Sequence, residues 1–279
     1  MKFTKMQGCG NDYVYVDAVN NKVEDREKLA VSVSDRRFGI GSDGLICIAP
    51  SKVADFAMDM YNADGSRGKM CGNGIRCLGK FVYDHGLTDK TKLTIETLSG
   101  VKYLELNVVD GKVDSVTVDM GAPETEASKI PAKFEKSPVL KAPFATDEKV
   151  YSVSCVSMGN PHAVVYVDDV SSFPVEQEGK KFEHSPVFPE GVNTEFVQVL
   201  DRGHIKMRVW ERGSGETFAC GTGACGCAYV SMLNGLVDKE VFVEMLGGTL
   251  KIKYDDEDGH IYMTGPAVTT FEGETYEIR

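Results

Sequence analysis

Two cysteines in this 279-residue chain stand where a thiol could do acid–base work. Cys71 is followed by Gly72-Asn73-Gly74-Ile75-Arg76-Cys77 and an apolar run from Leu78 to Tyr83. Cys220 is followed by Gly221-Thr222-Gly223-Ala224-Cys225 and an apolar run to Leu233. Each reads as a thiol at the N-terminus of a helix. The first N–H groups of a helix lack internal partners and the glycines leave them uncovered, so each stretch can hold an anion. The same setting favours thiolate over thiol, because a helix N-terminus can bring a cysteine from about 8.5 to between about 3.5 and 7.5.

The two stretches lie 149 positions apart, and that offset recurs. Gly10-Asn11 returns as Gly159-Asn160, Tyr61-Asn62 as Trp210-Glu211, and Gly86-Leu87, a C-terminal helix stop, as Gly235-Leu236. The chain therefore reads as a duplication with one thiol in each copy. Racemisation at a carbon next to a carboxylate makes matching demands from two sides: a base removes the proton from one face and an acid delivers one to the other. A thiolate and a thiol, on two domains facing each other across one cleft, can be that pair. Paired helix N-termini would hold the carboxylate and stabilise charge developing on it.

The elements that must position these groups are short strands and a few helices. Met1 to Val19 reads as a strand, a loop at Gly8-Cys9-Gly10-Asn11-Asp12, and a second strand. A helix is expected over Arg26 to Arg36, capped by Asp25, followed by strands at Leu45 to Ala49 and Ala54 to Tyr61 and a turn at Asn62 to Ser66. After Cys71, Arg76 and Lys80 make a polar stripe on an otherwise apolar helix. The copy from Ala224 to Leu233 carries no charge, as expected of a helix wrapped by its own domain's sheet. More short strands follow, Leu93 to Leu98, Val101 to Val108 and Ser115 to Met120. The proline-rich, charged stretch from Ala122 to Lys149 breaks the pattern. This gives a first domain of residues 1–121 joined by the tail 266–279, which the repeat leaves without a slot in the second, and a second domain of residues 122–265.

Composition is that of an ordinary globular protein. A net charge of −11 disfavours nucleic acid or an anionic membrane as partner. No apolar run approaches a membrane span, and Met1 to Val16 lacks a signal-peptide core, so a soluble cytoplasmic protein is expected. The eight cysteines are expected to be reduced, and their spacings include no C-x2-C pair, so no metal site is expected. Cys9, Cys47, Cys77, Cys155, Cys225 and Cys227 read as small packing residues. There is no P-loop, and Gly72-x-Gly74 lacks the dinucleotide fingerprint. His162 and the Glu211-Arg212 pair, taken alone, would be a structural histidine and a solvated ion pair.

Along nearly its whole length the chain resembles the diaminopimelate epimerase family. The matching stretches are Gly10-Asn11-Asp12, Tyr61-Asn62-x-Asp64-Gly65-Ser66, Met70 to Cys77, Gly159-Asn160-Pro161-His162, Gly191-Val192-Asn193-Thr194-Glu195-Phe196, and Trp210-Glu211-Arg212-Gly213 leading to Ala219-Cys220-Gly221-Thr222-Gly223. The resemblance implies an enzyme that interconverts LL- and meso-2,6-diaminopimelate without a cofactor, for lysine and peptidoglycan precursors. It implies an α+β fold of two pseudo-symmetric domains, each a mixed sheet rolled into a barrel-like shape around a central buried helix, and commonly a homodimer. Carried over by motif, Cys71 and Cys220 are the acid–base thiols. Gly72, Asn73, Gly221 and Thr222 line the reacting carboxylate. Asn11, Asn62, Asn160, Asn193, Glu211 and Arg212 hold the substrate, and His162 and Glu211 tune the thiols. Arg212 suits the distal carboxylate because its fork matches that group. Some members carry glutamine where this chain has Gly44.

Two alternatives stand beside this reading. Proline racemases and hydroxyproline epimerases also use two thiols, but typically show histidine after the first Cys-Gly, where this chain has Asn73. A non-catalytic protein could use the same cleft to hold an amino acid, and would not exchange the α-proton.

Overall fold

The computed structural model describes residues 1–147 and 149–276, so residues 277–279 of the expected tail lie outside the described residues. The chain divides into two compact units, Met1–Asp119 with Thr264–Arg279, and Met120–Met263.

Unit 1 is built from β1 (Lys2–Gly8), β2 (Asn11–Asp17), α1 (Arg26–Ser34), β3 (Gly44–Ala49), β4 (Phe56–Asn62), β5 (Arg67–Gly68), α2 (Gly72–Asp84), β6 (Lys92–Thr97), β7 (Gly100–Val109) and β8 (Lys112–Gly121). Its strands join in the order β1–β2–β3–β4–β6–β7–β8, with β2–β3 and β4–β6 parallel and the other pairs antiparallel. The parallel pairs are those whose connection carries a helix, as a crossover requires. Alternation along β4 buries Phe56, Met58 and Met60. Helix α2 packs on β1, β2 and β7, while α1 packs on β2, β3 and β4 through Ala30 and Val33.

Unit 2 follows with β9 (Ala142–Ala145), β10 (Val150–Ser157), β11 (Pro161–Tyr166), α3 (Val175–Glu183), β12 (Asn193–Asp201), β13 (His204–Glu211), β14 (Gly215–Thr217), α4 (Gly221–Leu233), β15 (Glu240–Met245) and β16 (Gly248–Tyr254). The pairs β10–β11–β12–β13–β15–β16 repeat the alternation of β1–β2–β3–β4–β6–β7 sign for sign. The duplication extends to register: Tyr61 opposes Arg67 as Trp210 opposes Glu216, each 149 positions on. Helix α4, uncharged throughout, touches six strands of its own unit, β10 to β13, β15 and β16. A helix apolar on every side needs such a wrapping. The unit boundary falls within β17 (Ile261–Pro266), after which β18 (Val268–Glu274) pairs antiparallel with β1.

Two local expectations are corrected. Helix α1 ends at Ser34, and Asp25 before it has φ 44° and makes no side-chain cap, so its left-handed backbone opens the helix instead. Arg76 is no part of a solvated stripe. It is fully buried, and its guanidinium donates to Gly72 O at 3.1 Å, Asn73 Oδ1 at 2.9 Å and Pro266 O at 3.2 Å. The stretch after Ala122, which breaks the repeat, carries β9, and its side chains Ile130, Val139 and Phe144 join the core of unit 2.

Candidate active site

Cys71 is the N-cap of α2 and Cys220 the N-cap of α4. Both take the extended backbone that an N-cap needs, φ −129° and ψ 121° for Cys71, φ −120° and ψ 107° for Cys220. In each the sulfur replaces the usual cap oxygen and accepts the N–H three residues on, from Gly74 and from Gly223, at 3.3 Å in both. The fourth N–H of each helix, on Ile75 and Ala224, goes to the cap carbonyl at 2.9 Å. Gly72, Asn73, Gly221 and Thr222 therefore form the first turns, where backbone N–H groups have no helical partner.

In unit 1, β2 delivers Asn11 to the thiol. Cys71 Sγ donates to Asn11 Oδ1 at 3.1 Å, and Asn11 Nδ2 donates to Asp43 Oδ2 at 2.7 Å. Arg36 holds Asp43 at 3.0 Å and Asp12 at 2.8 Å, so the acceptor end of the Asn11 amide is turned toward the thiol by an ion-pair network. Asn73 is buried, its Oδ1 taken by Arg76. Tyr15 Oη donates to Gly74 O at 3.0 Å and fixes the first turn of α2 to β2. Asn62, at the end of β4, donates through Nδ2 to Ser66 Oγ at 2.9 Å. Position 44 is closed to a side chain: a Cβ on Gly44 would fall 2.1 Å from the Tyr61 carbonyl oxygen and 2.9 Å from the Tyr13 ring.

Unit 2 surrounds Cys220 with more charge. Thr222 Oγ1 lies 3.5 Å from Cys220 Sγ, and Glu211, at the end of β13, accepts from Thr217 Oγ1 at 2.5 Å. His162 is fully buried and bonded to neither thiol among the described residues; its Nδ1 lies 2.6 Å from Glu195 Oε1 and its Nε2 3.0 Å from Asn160 Oδ1. Asn193 gives both ends of its amide to backbone, accepting from Arg212 N at 3.0 Å and donating to Pro161 O at 2.9 Å. It sets the β11–β12–β13 corner that carries Arg212. The Arg212 side chain is exposed, with Nη1 on Glu190 O at 2.7 Å. Glu183 of α3 steadies the same corner, accepting from Trp210 Nε1 at 2.6 Å and Gly213 N at 2.8 Å.

The expected thiolate preference is overturned. Burial pushes the Cys71 thiol up, outweighing the Gly74 and Asn73 N–H groups, the Tyr13 hydroxyl and the Arg76 cation that pull it down. Burial drives Cys220 well above the usual range, and the carboxylates of Glu211 and Glu195 push it further. Glu211 is itself raised by burial, against the Thr217 hydrogen bond and the His162 ring. Desolvation disfavours any buried anion, and here it exceeds what one helix end supplies. Sequence reading missed Glu195 as a site residue. The signal was a carboxylate inside the otherwise buried run Val192 to Val197.

The sequence profile described as diaminopimelate epimerase matches residues 3–126 and 154–270. The chain is 55% identical over 274 residues to the diaminopimelate epimerase of Methanococcus maripaludis strain S2, covering 98% of this chain and 99% of that protein. It is 54% identical over 274 residues to the diaminopimelate epimerase of Acetivibrio thermocellus, covering 98% of each. Among solved structures it is similar to a Bacillus anthracis phenazine biosynthesis protein of the PhzF family, with TM-score 0.70, 18% identity and 99% of both chains covered. It is also similar to a probable proline racemase of Agrobacterium radiobacter K84, with TM-score 0.70, 16% identity, and 99% of this chain and 92% of that one covered. At such identities the likeness is one of fold.

Proposed function

The chain belongs to the diaminopimelate epimerase family, and on that premise we propose that Cys71 and Cys220 are the proton-transfer pair of an isomerase acting on 2,6-diaminopimelate. One observation carries the reading: the same thiol, on the same extended N-cap and with the same 3.3 Å acceptance from the third N–H, is built twice from two copies of one unit.

One cysteine, as thiolate, takes the α-proton of LL-diaminopimelate. The C–H bond breaks, an S–H bond forms, and the electron pair spreads toward the carboxylate. The other cysteine, as thiol, gives its proton to the opposite face, yielding the meso isomer; the reverse direction exchanges the roles. Backbone N–H groups at Gly72, Asn73, Gly221 and Thr222 hold the carboxylate and stabilise the charge that builds on it. Asn11 and Asn62 offer acceptors to ammonium, Glu211 a carboxylate, Asn160 an amide N–H donor, and Arg212 a fork for the distal carboxylate. Two thiols supply and remove every proton, so the reaction calls for no cofactor. Cys71, ringed by donors and a cation, ionises first; Cys220, facing Glu211 and Glu195, keeps its proton.

Among the described residues no helix is long and apolar enough to cross a membrane. We place the enzyme in the cytoplasm, as a homodimer serving lysine and peptidoglycan precursor synthesis. Incubation with LL-diaminopimelate and, separately, with L-proline tests the substrate class. Chiral analysis should find the meso isomer from the first and no D-proline from the second, and the opposite result would move the chain to the proline racemases.

A further inference from the structure

Glu195 touches no substrate in this chemistry, yet its setting is costly. It is fully buried on β12, and among the described residues only its Oε1 has a partner, His162 Nδ1 at 2.6 Å. Oε2 is buried with no hydrogen-bond partner among the described residues. A buried carboxylate oxygen without a partner is rare in folded proteins. Its surroundings show what it stands beside. A Cβ placed on Gly223, in the first turn of α4, would stand 2.6 Å from Glu195 Oε1 and 3.2 Å from Cys220 Sγ. Glycine at 223 thus lets the carboxylate approach the helix end that carries the thiol.

The other nitrogen of the ring completes a relay. His162 Nε2 faces Asn160 Oδ1 at 3.0 Å. The ring is thus held between the Glu195 carboxylate at Nδ1 and the Asn160 amide oxygen at Nε2, to which an Nε2–H donates. A donating Nε2–H turns Asn160 so that Oδ1 is occupied and Nδ2 is left to meet an acceptor. Asn160 is thereby a donor to a substrate carboxylate.

We propose that Glu195 is a positioning residue which, through His162, orients Asn160 and places a fixed negative charge beside Cys220. This rests on the assignment of Cys220 as a proton-transfer thiol. The titratable groups facing Glu195 are His162 on β11, Cys155 on β10, Glu211 on β13, and Cys220 and Cys227 on α4. Cys155, Cys227 and Cys220 are all held protonated, by burial first and the Glu195 carboxylate second or third. The carboxylates of Glu211 and Glu195 are therefore the charges that Cys220 meets.

The test uses Glu195→Gln and Glu195→Asp in the full chain, each shown folded by circular dichroism. The first readout is the pH dependence of Cys220 alkylation by iodoacetamide, followed by peptide mass, which needs no substrate and stands whatever the substrate is. Glu195→Gln should move the Cys220 profile to lower pH by about one unit or more, because a like charge is gone, and leave the Cys71 profile in place. Glu195→Asp keeps the charge but withdraws it from the ring, so the Cys220 profile should hold while kcat/KM falls about ten- to a hundredfold, the worth of one charge-assisted hydrogen bond. An unmoved Cys220 profile in Glu195→Gln, or native kcat/KM in Glu195→Asp, overturns the proposal. If Glu195→Gln does not fold, Glu195→Asp alone decides on kcat/KM. Failure of diaminopimelate turnover in the native enzyme would instead strike at the proposed function and leave the alkylation result intact.

Discussion

The Cys71 thiol donates to Asn11 Oδ1 at 3.1 Å, and Asn11 cannot turn its other end inward because Asp43 holds its Nδ2 at 2.7 Å. A carboxylate one residue removed from the thiol's acceptor thus selects the protonated form of Cys71 in the free enzyme. Asp43→Asn releases that constraint, since an amide can present either end. We expect kcat/KM to fall by about tenfold, one hydrogen bond's worth, and Cys71 alkylation to change while Cys220 alkylation does not. Native kcat/KM with native Cys71 alkylation would show that Asp43 only braces the loop.

Cys71→Ala and Cys220→Ala should each abolish epimerisation, because each removes one side of a two-sided transfer. Cys77→Ala and Cys225→Ala, at buried positions within α2 and α4, should keep activity and lose about 1 kcal/mol of stability through cavity formation. Thermal melts and turnover on all four variants separate the two classes. Turnover near the native level in either of the first pair would remove that cysteine from the chemistry.

The pH dependence follows from burial. Both thiols are raised, Cys220 the more strongly, by desolvation first. A raised thiol holds its proton below its folded value and loses it above, so the base form at Cys71 grows as pH rises past the ordinary cysteine value near 8.5. The rate should therefore climb through pH 8 and fall only at the higher pH where Cys220 ionises, a bell whose two apparent values belong to the pair. A profile of kcat/KM that peaks below pH 7 would contradict this order.

Arg212 presents its guanidinium from an exposed corner, with Nη1 already on Glu190 O at 2.7 Å. Lysine keeps the charge but cannot make two parallel bonds to a carboxylate. Arg212→Lys should cost about 1.5 to 3 kcal/mol in kcat/KM, the worth of a charge-assisted hydrogen bond. Steady-state kinetics with kcat/KM unchanged would place Arg212 outside the site.

Much of this was legible because it is local. A cysteine followed by small residues and an apolar run encodes an N-cap thiol whatever the fold, and a repeat at constant offset carries its strand pairing with it, as Tyr61–Arg67 and Trp210–Glu216 show. What was not legible depends on neighbours remote in sequence. Arg76 looks like a surface cation until Asn73, Gly72 and Pro266 close around it. The sign of the thiol shifts turns on burial against a helix end, and a motif states only the second. Helix α3 was missed because its buried face, Val175, Glu178, Gly179 and Phe182, lies within a charged run. Asn193, expected at the substrate, also braces the backbone of Arg212 and Pro161, a contact that only the coordinates give.

The two-thiol transfer is tested most directly in deuterium oxide, by following LL-diaminopimelate through its first few per cent of conversion and reading deuterium in each isomer by mass spectrometry after chiral separation. A thiol carries a single proton, so the base that removes the α-proton returns that same proton to the substrate, and the opposite thiol supplies solvent hydrogen to the product. The meso product should carry one α-deuterium per molecule while the remaining LL-diaminopimelate carries none. Deuterium appearing in the LL isomer as fast as in the meso isomer, or meso product that retains its α-protium, would mean that one group works both faces, and the pairing of Cys71 with Cys220 would be wrong.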